Sequence, residues 1–126
     1  MQVIRLHDLP QVPASHENQK DPSVLKQILL RREDLALGRI QMINWAILLP
    51  GKSFRLHSHE DMEEVFIILG GKAEITVGEE KELLMKGDVV VIPERSIHTM
   101  KNVTAKAVTY LVIGIARERG GKTVIV

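Results

Sequence analysis

Apolar residues along the chain fall in short runs, each closed by Gly, Pro or a cluster of charges. Residues 24–30 end at Arg31-Arg32-Glu33-Asp34, residues 40–49 at Pro50-Gly51, residues 65–69 at Gly70-Gly71, and residues 73–77 at Gly78-Glu79-Glu80-Lys81. Residues 83–85 precede Lys86-Gly87-Asp88, the run Val89-Val90-Val91-Ile92 stops at Pro93, and residues 107–115 precede Arg117 and the pair Gly120-Gly121. Runs this short, without helical periodicity and separated by turn chemistry, predict many short strands and an all-β barrel or sandwich. The run Val89-Val90-Val91-Ile92 is continuous rather than alternating, the pattern of a strand buried on both faces.

Residues 24–30 are ambiguous. Asp21-Pro22-Ser23 ahead of them has the composition of a helix start, with Pro at the first helical position. The run is short and its neighbours are strands, so a strand is the preferred reading. Residues 1–23 hold Pro10, Pro13 and Pro22 and read as an extended arm with one strand near residues 3–6. The tail, residues 122–126, is strand-like and follows a Gly-Gly turn. Strand-like segments at both ends leave edges that need covering, and a homodimer is the usual remedy.

The chain has 126 residues, which fits one domain, residues 1–126. A chain of that length buries about two-thirds of its unfolded surface, so no disulfide or metal staple is needed for folding. Hydrophobic residues at 44% and charged residues at 26% exclude a disordered chain. Seventeen Lys and Arg against sixteen Asp and Glu give +1, which argues against an electrostatic nucleic-acid partner. Cysteine is absent, so disulfides, thiol nucleophiles and thiolate metal sites drop out. No apolar stretch approaches the ~18 residues of a membrane span, and Asp8 and Pro10 interrupt any signal-peptide core. The expectation is a soluble cytoplasmic domain with neither nucleic-acid nor membrane partners.

Candidate chemistry gathers on histidines. His57 and His59 are two apart, so on a strand both leave one face with Cβ atoms roughly 6.5–7 Å apart. Two imidazoles can close that gap onto an ion about 2.1 Å from each nitrogen. Glu63 and Glu64 open the next strand on opposite faces, so one of them can join the histidines. His98 follows Pro93. His7 and His16 lie in the Pro-rich arm and are expected in solvent.

These residues carry a specific resemblance. The sequence is similar to the cupin superfamily, as a small single-domain member. The first motif, Gly-x5-His-x-His-x3/4-Glu-x6-Gly, is matched over residues 51–71 by Gly51, His57, His59, Glu64 and Gly71. Over residues 87–102, Gly87, Pro93, His98 and Asn102 match the second, Gly-x5-Pro-x-Gly-x2-His-x3-Asn. Nine fixed positions at about one in twenty each make a chance match of order 10⁻¹². Arg95 departs from the second motif's glycine, the residue that tolerates positive φ. Glu63 with Gly70 also satisfies the first motif with its shorter spacer. Glu64 is favoured because residues 67–71 then align with the aliphatic run into the motif's glycine.

The resemblance implies a double-stranded β-helix, or jelly roll, whose ligands His57, His59, Glu64 and His98 converge in one mouth of the barrel. It implies one divalent transition ion, with Fe, Mn, Ni, Cu and Zn not distinguished by this donor set. Three neutral imidazoles and one carboxylate leave such an ion at +1 with two open octahedral positions. The expected function is a small metal-dependent enzyme, of dioxygenase, isomerase or epimerase, or decarboxylase type, acting on a small oxygenated metabolite. The alternative is a non-catalytic small-molecule-binding or sensor cupin. Phe66 shares the Glu64 face and is expected to line the cavity, with Met100 beside His98. Arg55 shares strand parity with the histidines and could hold an anionic group; a solvated rim arginine is the competing reading. Asp88 is expected to cap a turn and Asn102 to brace one. No independent general base stands out.

Overall fold

The computed structural model describes residues 1–117 and 122–126, so the Gly120-Gly121 turn lies outside the described residues. Eleven strands are found among them: β1 (Val12–Pro13), β2 (Val24–Arg31), β3 (Ile40–Leu48), β4 (His57–His59), β5 (Met62–Gly70), β6 (Lys72–Val77), β7 (Glu80–Met85), β8 (Val89–Ile92), β9 (His98–Asn102), β10 (Val108–Ala116) and β11 (Thr123–Ile125). They build two antiparallel sheets, ordered β1-β2-β3-β10-β5-β8 and β11-β4-β9-β6-β7. The run-and-turn pattern predicted an all-β fold, and this is the double-stranded β-helix that the resemblance implied. No helix among the described residues is long and apolar enough to cross a membrane.

Alternation fixes the core. Along β10 the side chains of Val108, Tyr110, Val112 and Ala116 are buried, and those between them are less so. Leu48, Ile68, Ile92, Met100 and Val108 are fully buried between the sheets. Burying each such side chain stabilises the fold by about 1.5–3 kcal/mol. Gly71 enters the loop before β6 at φ +88°, and a Cβ there would meet Val108 Cγ2 at 2.9 Å. Only glycine suits both the conformation and the space. Asn102 braces a turn as expected: its side chain donates to the carbonyls of Leu48 and Lys106 and accepts from the Thr104 N–H. The Asp88 carboxylate likewise accepts the Met85 N–H.

Residues 24–30 form strand β2, not a helix. That is the preferred reading; two expectations fail. The run Val89-Val90-Val91-Ile92 is an edge strand, paired only with β5, and Val89 and Val91 are 57% and 55% exposed. Exposure alternates along the strand, so the outward face of the sheet lies open to solvent here and a continuous apolar run did not mean burial on both sides. No strand forms near residues 3–6; Val3 and Ile4 are exposed and a 3-10 turn spans Leu6–Asp8. Apolar positions 3, 4 and 6 do not alternate, so they offer no single face to a sheet. The ends also find partners within the chain: β1 pairs with β2 and β11 with β4.

Candidate metal centre

Strand β4 buries both His57 and His59 with Ser58 turned away between them, as period two requires. It pairs with β9 at His57↔His98, which sets a third imidazole beside the first. On β5 the buried positions are Met62, Glu64, Phe66 and Ile68, while Glu63 is exposed. Parity therefore turns Glu64, and not Glu63, to the histidines. His57, His59, Glu64 and His98 are all buried, and one potential ligand atom from each lies within 4.8 Å of the others.

Each imidazole is held from behind. The Nδ1–H of His57 donates to the Arg55 carbonyl at 2.6 Å, and that of His98 to the Ser96 carbonyl at 2.8 Å. His59 Nδ1 lies 3.0 Å from the Thr123 hydroxyl of β11. A carbonyl can only accept, so His57 and His98 keep their protons on Nδ1 and present Nε2 inward. Glu64 Oε1 sits 2.8 Å from His59 Nε2 and 3.2 Å from His98 Nε2. For neutral His98 this sets a nitrogen lone pair against a carboxylate oxygen. Such an arrangement calls for a cation between them, a proton or a metal ion. Outer hydrogen bonds that fix tautomer and ring orientation are the usual second layer of a histidine metal site. The residues therefore fit a divalent ion.

Electrostatics point the same way. Burial, reinforced by the nearby His16, pushes the His57 pKa down to about 3. Burial would raise the Glu64 carboxyl, but the adjoining imidazoles, His59 foremost, overcome it and hold the pKa at about 2. A neutral imidazole and an ionised carboxylate are the ligand forms.

Arg95 resolves the departure from the second motif. It adopts the left-handed φ of +64° itself, while its N–H donates to the His59 carbonyl at 2.6 Å. The turn keeps its geometry at a cost of about 1–2 kcal/mol for a residue with a Cβ.

A cavity of about 410 Å³ opens onto this cluster, and His57, His59, Glu64, Phe66 and Tyr110 are among its lining residues. Phe66 lies where parity put it. Met100 is fully buried in the core and is not on the cavity wall. Arg55 is exposed and also off that wall, because β4 begins only at His57 and strand parity does not extend back to residue 55.

His16 departs most from expectation. His7 is exposed, but His16 is half-buried and stacks on His57 with ring centroids 4.1 Å apart. Pairing of β1 with β2 carries the arm across the barrel mouth. The buried Glu17 carboxylate then pins it, accepting the N–H of Ser23 at 2.7 Å and of Arg55 at 3.1 Å. His16 Nδ1 lies 3.2 Å from the same carboxylate. Burial alone would raise the Glu17 pKa; the two backbone N–H groups and His16 hold it below its ordinary value.

Four further lining residues were not singled out from sequence: Lys26 and Asn44 on the wall, and Arg31 and Arg32 from a charge cluster that reads as an exposed turn. The alternation of Val24, Lys26 and Ile28 carried a signal for Lys26, but only the register with β3 shows which face it occupies.

A family model described as Cupin domain matches residues 44–114. Among curated proteins, an uncharacterized protein of Methanocaldococcus jannaschii is 32% identical over 84 residues, 67% of this chain and 66% of that protein. Quercetin 2,3-dioxygenase of Bacillus subtilis is 36% identical over 66 residues, 51% of this chain but 20% of the enzyme. The chain thus spans just under two-thirds of the first relative and a fifth of the second. Among solved structures, a predicted oxalate decarboxylase of Thermotoga maritima superposes with a TM-score of 0.80 at 22% identity, covering 91% of this chain and 99% of that one.

Proposed function

The chain belongs to the cupin family, and from that premise we propose that it is a metal-dependent enzyme acting on a small oxygenated metabolite. The observation that carries the reading is the orientation of the imidazoles: outer partners hold each Nδ1, and the Nε2 atoms of His59 and His98 turn onto Glu64. An ion bound there would act as a Lewis acid or redox centre toward substrate oxygens. The chain's own residues orient the donors, exclude water behind them and keep Glu64 ionised. Phe66 and Tyr110 close the floor with aromatic surface. Dioxygenation and decarboxylation are the reaction types favoured by the names of the relatives, and either fits a site where, among the described residues, Glu64 is the one carboxylate in the cluster.

The test is elemental analysis of protein purified without chelator or added metal, followed by turnover assays. About one divalent transition ion per chain is expected. Oxygen uptake or substrate loss in a metabolite screen should vanish on chelation and return when the ion is restored. Saturable binding without any turnover would make the chain a binding module instead.

We also propose a cytoplasmic homodimer, now on different grounds from the termini. Edge strands β7 and β8 expose Leu83, Met85, Val89 and Val91. Sedimentation at micromolar concentration should give twice the 14.2 kDa chain mass; a monomer there would refute it.

A further inference from the structure

The cavity carries a charge that the metal site does not use. On β2 the side chains of Val24, Lys26 and Ile28 face inward, opposite Leu48, Ala46 and Asn44 of β3. Lys26 therefore stands on an otherwise apolar wall beside Asn44. Lys26 is half-buried and its ammonium reaches the open side of the cavity, so it loses part of its hydration with no ion-pair partner. Its contact is a hydrogen bond to the Ser15 hydroxyl at 2.7 Å. Among the described residues no carboxylate lies within ion-pair distance of Lys26, nor of Arg31, which lines the same cavity.

The acids that face this space are engaged elsewhere. Glu33 pairs with Arg32, and Glu64 is tied to His59 and His98. Glu17 behind the arm is tied to His16. Burial and the nearby Arg31 both lower the Lys26 pKa, as expected for an uncompensated cation.

Asn44 supplies a second, independent sign. Its residue is 8% exposed, it lines the cavity, and its Oδ1 is buried without a hydrogen-bond partner. Buried polar atoms are almost always satisfied, and leaving one bare costs about 1–3 kcal/mol. An acceptor waiting in a cavity calls for a donor on whatever fills it.

We propose that the cavity binds a small anionic, hydroxyl-bearing metabolite, whose carboxylate or phosphate is held by Lys26 with Ser15 and whose hydroxyl donates to Asn44. This names the substrate class for the enzyme proposed above and rests on that reading only for the end facing the metal. A neutral polyol would leave Lys26 uncompensated, and a cation would be repelled by Lys26 and Arg31.

The test is calorimetry on the full chain as purified, at constant ionic strength, with matched pairs. Gluconate is compared with glucitol, glucose 6-phosphate with glucose, and hexanoate serves as an anion without hydroxyls. At least one hydroxylated anion should bind about tenfold or more tightly than its neutral counterpart, as a charge-assisted contact requires. The preferred pair decides between carboxylate and phosphate. Lys26→Met should reduce the preference to about twofold or less, while Lys26→Arg retains it. Asn44→Ala should weaken gluconate or glucose 6-phosphate binding and leave hexanoate unchanged.

A wild type without anion preference would overturn the proposal. So would a preference that survives Lys26→Met, since it would then belong to the ion. If Lys26→Met does not fold, Lys26→Gln reads the same contrast. Metal content measured on the same samples separates the two readings: a chain without an ion fails the enzyme proposal, yet the Lys26-dependent preference remains measurable.

Discussion

Replacing His98 by Ala is expected to lower affinity for the divalent ion by at least about a hundredfold, beyond the 10- to 100-fold typical of changes to outer-layer partners. His98 reaches the cluster from β9, the strand that β4 meets at a single register pair, His57↔His98. Its ring is fully buried, so no water-accessible side chain can swing in to replace the lost nitrogen. Glu64→Gln should weaken binding comparably, because it removes the carboxylate that offsets the ion's charge while preserving shape. Thr123→Val is the graded control. It removes the hydroxyl behind His59 Nδ1 but no ligand, and should cost roughly ten- to a hundredfold. Competition against a chelator with known affinity measures all three on one scale. Wild-type affinity in His98→Ala would mean that the cluster is a buried hydrogen-bond network and not a metal centre.

The candidate ligand positions were legible in part from short-range rules and otherwise, His98 above all, from the motif resemblance. Period two places His57 with His59, and a fixed run of intervening residues leads to Glu64. The choice between Glu63 and Glu64 reduces to parity, and Met62, Phe66 and Ile68 share the inward side with Glu64. The same rule overreached at Arg55, which precedes the strand, and at Met100. Met100 does share the His98 side of β9, but lies deeper, fully buried in the core. What stayed hidden depends on which strands become neighbours. His16 meets His57 only after β1 pairs with β2 and Glu17 captures an N–H from Arg55, 38 residues away. Lys26 faces the cavity by the register of β2 on β3, and the exposure of Val89 and Val91 follows from the outward face of β8 having nothing packed on it. No local pattern encodes whether a sheet face will be covered.

Acid should destabilise the metal-free protein steeply, beginning near pH 6.5. His57 has a folded pKa of about 3 against an ordinary value of 6.5, so between those values the unfolded chain binds one proton more. Stability then falls as pH falls, by about 1.4 kcal/mol per unit. Glu64, at about 2 against 4.5, adds a second proton of the same sign below pH 4.5. By pH 4 the two together remove about 4 kcal/mol, a large share of the 5–15 kcal/mol typical of a domain. His16, lowered by burial, and Glu17, lowered by its backbone donors despite burial, act in the same direction. Urea unfolding of the chelated protein between pH 7 and pH 4 measures the slope. His57→Gln should remove about one proton from it above pH 4.5, because the glutamine amide does not titrate. An excess of the ion at pH 7 should raise the midpoint instead, since the folded cluster alone presents its donors deprotonated and converged. A flat profile would mean that these imidazoles are as accessible to protons in the folded barrel as in the open chain, and the buried, neutral donor set would be refuted with it.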